Sequence, residues 1–160
     1  MNRTQSNKKP ARGIFLSILY VFTLFTMVLT GFGQMPIYKR YYLADIPGMT
    51  WLADFYITRY IHYIGAMVLL ALITYAVLNY LLLNRNNRRL TGYGYASAFL
   101  MAGIIITGLL FTVKNLPGFF FSSGFVHVIN LGHMGFAVLF LATSIYALVF
   151  RKKRAAAGKL

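Results

Sequence analysis

Four long apolar runs, at residues 13–33, 57–83, 95–113 and 125–150, constrain this chain more than any other feature. A bilayer core is roughly 30 Å thick and takes about 20 residues of helix to cross. Each run is long enough. In hydrocarbon the backbone has to satisfy its own hydrogen bonds, so each run must be helical. Composition agrees: 59% of the 160 residues are hydrophobic and 11% charged. A soluble domain lies nearer one half and one quarter, and a fold of this size cannot hide the excess from water. The expected fold is an all-α integral membrane four-helix bundle, one membrane domain over residues 1–160. The first run is too long for a signal peptide and has no small-residue cleavage site after it.

Charge gives the orientation. Twelve of the sixteen Lys and Arg fall in three places: the N-terminal tail (Arg3, Lys8, Lys9, Arg12), the central loop (Arg85, Arg88, Arg89) and the C-terminal tail (Arg151, Lys152, Lys153, Arg154, Lys159). The positive-inside rule places both termini and that loop in the cytoplasm. The connections 34–56 and 114–124 then face outward. The net charge of +14 is therefore read as membrane topology, with no nucleic acid as partner. The first outer connection is rich in aromatics and turn residues (Met35-Pro36, Tyr41-Tyr42, Ile46-Pro47-Gly48, Trp51-Leu52). It reads as a headgroup belt or as a docking platform for an extramembrane subunit.

The chemistry available is narrow. There is no cysteine, so this chain supplies no thiolate zinc site, iron–sulfur ligand or cysteine nucleophile. The only acids are Asp45 and Asp54, too few for paired-carboxylate hydrolysis or a carboxylate metal cage. Three histidines remain, His62, His127 and His133, all in the outer half of the second and fourth spans. Ionisable groups inside a bilayer default to function, and without acids in the spans metal ligation is the main use. Two neutral imidazoles on facing helices can hold a haem iron axially.

Depth favours one pair. At about 1.5 Å per residue, His62 lies roughly 8 Å into its span, His133 roughly 12 Å and His127 roughly 3 Å. His62 and His133 are therefore the expected metal ligands, with His127 as the competing second ligand, or as a propionate or quinone contact. Gly65 and Ala66 follow His62 on the same helix face and leave room for a porphyrin. Arg59, one turn outward, is placed to pair with a propionate. The bland alternatives are histidines that tie helices together and an arginine that snorkels to the headgroups. A weak repeat also stands out. Thr30-Gly31 and Thr107-Gly108 each close a span that precedes a histidine-bearing one. Chance and two hairpins of similar design explain it equally well.

Thr58-Arg59-Tyr60-Ile61-His62-Tyr63-Ile64-Gly65 resembles the second helix of the formate dehydrogenase gamma-subunit type of membrane cytochrome b. Thr107-Gly108 and Gly132-His133 resemble the third and fourth helices of that di-haem cytochrome b561-like family. The resemblance runs from Thr30 to about Tyr146. It implies a membrane anchor of a respiratory oxidoreductase that passes electrons between an extracytoplasmic partner and the quinone pool. Two-haem members carry further histidines in the first helix and deep in the fourth. This chain has none there, with Thr143, Ser144 and Tyr146 at the deep positions. One outer haem b site is therefore implied. The family's quinone site lies near the missing inner haem and does not carry over, so menaquinone or ubiquinone is expected instead at the outer side, near His127, Lys114 and Asn130. The implied setting is a multi-pass subunit of a prokaryotic plasma membrane that performs no bond chemistry alone. A haem-free anchor or assembly subunit is the alternative.

Overall fold

The computed structural model describes residues 11–35, 45–84 and 91–157. They form four helices: α1 (Ala11–Gly33), α2 (Phe55–Asn79), α3 (Gly92–Lys114) and α4 (Ser123–Ala157). There is no strand among the described residues. Each helix is long and apolar enough to cross a membrane, over Gly13–Gly33, Phe55–Leu83, Gly92–Lys114 and Ser123–Phe150. The fold is all-α and multi-pass, as the apolar runs required. Arg3, Lys8 and Lys9 of the first basic tail, the loop 85–90, the segment 36–44 of the first connection and Lys159 lie outside the described residues, whereas α4 runs on through Arg151–Arg154.

Three spans begin two or three residues before their apolar runs, because polar caps start the helices. Asp54 Oδ1 accepts from the backbone N–H of Tyr56 (2.9 Å) and Ile57 (3.1 Å). Thr91 Oγ1 accepts from Gly94 N (3.2 Å), and Ser122 Oγ from Phe125 N (3.4 Å). Each satisfies amides that have no partner within the first helical turn. The carboxylate of Asp54 is thus used as a cap. At its far end α2 loosens into a π-turn, Tyr80–Asn84.

The helices form two compact units, the hairpins α1–α2 and α3–α4. Both use the same device in their connections. Met49 N donates to Ile46 O (3.0 Å) and Phe119 N to Leu116 O (3.4 Å), each closing a four-residue turn. The third residue of each is glycine at positive φ, Gly48 at 84° and Gly118 at 86°. Proline precedes both, as the type II turn favours. In the first hairpin a 3₁₀ turn, Thr50–Ala53, then seats Leu52 against the end of α1. Leu52 is only 1% exposed. A Cβ on Gly33 would lie 2.8 Å from its carbonyl oxygen, so only glycine allows this closure.

Within each hairpin small residues set the helix separation. A Cβ on Gly65 of α2 would meet Met27 Sδ at 2.8 Å, and one on Gly103 of α3 would meet the Phe136 ring at 2.8 Å. Close approach at small residues is how membrane helices gain van der Waals contact where lipid removes the hydrophobic drive. Elsewhere the spans face outward: only 6–11% of each apolar window is buried within the molecule.

These contacts rank three substitutions. Gly33→Ala collides with backbone and should cost about 1–3 kcal/mol as overpacking. Gly65→Ala collides with the end of a flexible thioether and should cost less, because Met re-packs readily. Asp54→Ala should cost about 1 kcal/mol through the lost cap. Thermal unfolding of the detergent-solubilised variants checks the order, which equal melting temperatures for Gly33→Ala and Gly65→Ala would contradict.

Candidate functional site

Threonine in a helix normally turns its hydroxyl back to the carbonyl four residues earlier. Thr30 does so, with Oγ1 2.8 Å from Thr26 O and 3.3 Å from Met27 O. Thr107 does the same, 2.7 Å from Gly103 O and 3.1 Å from Ile104 O. Each hydroxyl then makes one further contact, across the hairpin. Thr30 Oγ1 lies 2.9 Å from Nδ1 of His62, and Thr107 Oγ1 lies 2.9 Å from Nδ1 of His133. The Ile104 backbone also hydrogen-bonds His133.

The glycine after each threonine completes the seat. A Cβ on Gly31 would lie 3.5 Å from His62 Cε1, and one on Gly108 would lie 3.5 Å from His133 Cε1. The imidazole therefore rests on a glycine backbone in both hairpins, held by the neighbouring hydroxyl. Thr30 is fully buried, and both histidines are half-buried.

The two sites share their surroundings position by position. Four residues before each histidine stands a buried side chain, Thr58 or Ile129, and seven after it another, Leu69 or Phe140. Seven residues before each threonine stands a third buried pair, Thr23 and Leu100. The Thr-Gly repeat is thus a repeat of packing. The hairpins differ in length beyond the clamp. His62 is seven residues from the start of α2 and His133 ten from the start of α4, roughly 10 and 15 Å at about 1.5 Å per residue. One turn after Thr107, towards the end of α3, Phe111 packs its ring edge-on to His133 at 5.9 Å. The equivalent position in the first hairpin is Gln34, whose Nε2 donates to Thr30 O (3.2 Å).

The other expected site residues fall as follows. Arg59 Nε donates to Tyr63 Oη (3.0 Å), and its guanidinium lies over the rings of Phe55 (5.6 Å) and Tyr63 (5.4 Å). The cation is thus fixed one turn before His62, towards the start of α2, by two aromatics of its own helix. Gly65 is buried against Met27, so its small size is used within the hairpin. His127 is exposed near the start of α4, with Asn130 exposed one turn on. It has no threonine clamp. Lys114 ends α3, where a cation suits the helix dipole. At the deep end of α4 Thr143 Oγ1 donates to Leu139 O (2.9 Å) and Tyr146 packs on Phe150. Among the described residues no three His, Cys, Asp or Glu gather into a metal-binding group.

The repeat in the sequence does not by itself pair Thr30 and Thr107 with the histidines. Their signal was present all the same, since each stands beside a glycine at the end of the helix preceding a histidine-bearing one. No known protein family, curated protein or solved structure matches this chain.

Exposure orders the histidines for chemical modification. In detergent, diethylpyrocarbonate should modify His127 first and His62 and His133 later, read by peptide mass spectrometry. Equal rates at all three would contradict the clamps.

Proposed function

We propose that this chain is a haem b-binding membrane subunit of a respiratory oxidoreductase, in which His62 and His133 would hold the haem. The observation that carries the reading is the pair of matching threonine–histidine clamps. Metal-ligating histidines characteristically have their second ring nitrogen held by a hydrogen bond that fixes ring orientation. Here both candidates are held at Nδ1, which directs ligation to Nε2. Haem would need only two protein side chains, which suits a chain whose described residues gather no larger donor set. His127, unclamped and exposed, is the weaker second ligand.

Haem, when bound, supplies one-electron exchange between Fe(II) and Fe(III). The chain contributes two neutral imidazoles, an apolar surround and the Arg59 cation. Arg59, braced by Phe55 and Tyr63, is suited to pair with a propionate and to disfavour the more positive oxidised centre. The basic tails and central loop orient both termini to the cytoplasm. An extracytoplasmic partner then docks at the aromatic outer connections. Electrons pass between it and quinone, menaquinone or ubiquinone, in a prokaryotic plasma membrane. The resemblance to the formate dehydrogenase gamma-subunit type supports this setting.

The test is a visible spectrum of the membrane complex. The expected spectrum is low-spin bis-histidine, lost in His62→Ala and in His133→Ala with the subunit still inserted, and kept in His127→Ala. Arg59→Gln should keep the haem and lower its midpoint potential. Absence of haem from the assembled wild-type complex would leave a haem-free anchor. Loss in His127→Ala with retention in His133→Ala would overturn the ligand pair.

A further inference from the structure

The clamps carry a proton inventory. A threonine hydroxyl has one proton to donate and lone pairs to accept with, whereas a backbone carbonyl only accepts. Thr30 Oγ1 lies 2.8 Å from Thr26 O, and Thr107 Oγ1 lies 2.7 Å from Gly103 O. Two oxygens that close repel unless a proton lies between them, and the only proton available is the hydroxyl's own. Each hydroxyl is thereby spent on its carbonyl. The 2.9 Å contact to the histidine is then served by a hydroxyl lone pair, so Nδ1 must supply the proton.

From this we infer that Thr30 and Thr107 are positioning residues that lock His62 and His133 in the Nδ1–H tautomer and set their strength as iron ligands. The inference rests on the haem reading above and adds to it the group that tunes the site. A neutral imidazole protonated at Nδ1 carries its lone pair on Nε2. The tautomer able to bind iron is thus selected before any iron arrives. The acceptor also sets basicity. A hydroxyl that shares its proton with a carbonyl draws on Nδ1–H and makes the imidazole a better donor to iron, which favours Fe(III) and lowers the potential. Valine has the shape of threonine without the hydroxyl, and serine has the hydroxyl without the methyl. The pair of substitutions separates hydrogen bonding from packing.

Two measurements on the full chain in lipid nanodiscs test this. The first needs no haem: nitrogen-15 NMR of histidine-labelled, haem-free protein. The expected result is Nδ1 protonated and Nε2 unprotonated at His62 and His133, with the preference lost at His62 in Thr30→Val and at His133 in Thr107→Val. Protonated Nε2 at either histidine of the wild type overturns the inference. The second is haem titration with potentiometry. Each valine variant should bind haem roughly 10–100-fold more weakly, the usual cost of removing such a hydrogen-bonding partner. Its midpoint should rise, while Thr30→Ser and Thr107→Ser restore both values. Valine variants that bind and titrate like the wild type overturn the positioning role while leaving the haem reading intact. A wild-type chain that shows the tautomer but takes up no haem overturns both, and reduces the clamps to ties between helices.

Discussion

Each hairpin depends on one hydrogen bond between a hydroxyl on one helix and an imidazole on the other. In hydrocarbon, an unsatisfied polar group costs several kcal/mol. A histidine placed there must find a partner, and the partner must come from the facing helix. Thr30 and Thr107 meet that need from the end of the preceding helix. Once the bond is made, it fixes helix register, because sliding by one turn would strand the imidazole while the hydroxyl keeps its own carbonyl. Positions four before and seven after each histidine are then buried in both hairpins. The polar contact and the apolar contacts specify the same alignment.

The end of the first hairpin nearest its connection shows the same economy with charged groups. Asp54 is used as a helix cap, and Arg59 is held between Phe55 and Tyr63. Neither lies deep in its span. Capping and stacking keep both at the end of α2 that joins the connection, where side chains of mixed character sit at the edge of a membrane.

The spans were legible in the sequence because bilayer thickness translates directly into residue count. Their starts were read two or three residues late, since Asp54, Thr91 and Ser122 begin helices without being apolar. Ile46-Pro47-Gly48 was visible as a turn, but its counterpart Leu116-Pro117-Gly118 was seen only once both glycines showed positive φ. Gly65 illustrates what periodicity omits. Spacing puts it on the face of His62, but how the facing helix is rotated decides what fills the space, and Met27 does. The histidines were found by their cost in lipid. The threonines cost nothing visible, because a hydroxyl bonded to its own helix is ordinary in a span. What singles them out is the second contact, which exists only after folding.

The small–large pairs beneath the clamps are inverted between the halves. In α1–α2 the glycine is on the histidine helix and faces methionine; in α3–α4 it is on the threonine helix and faces phenylalanine. The two halves therefore share a polar tie but divide the small and the bulky residue between their helices in opposite ways, so neither hairpin is a copy of the other in its packing.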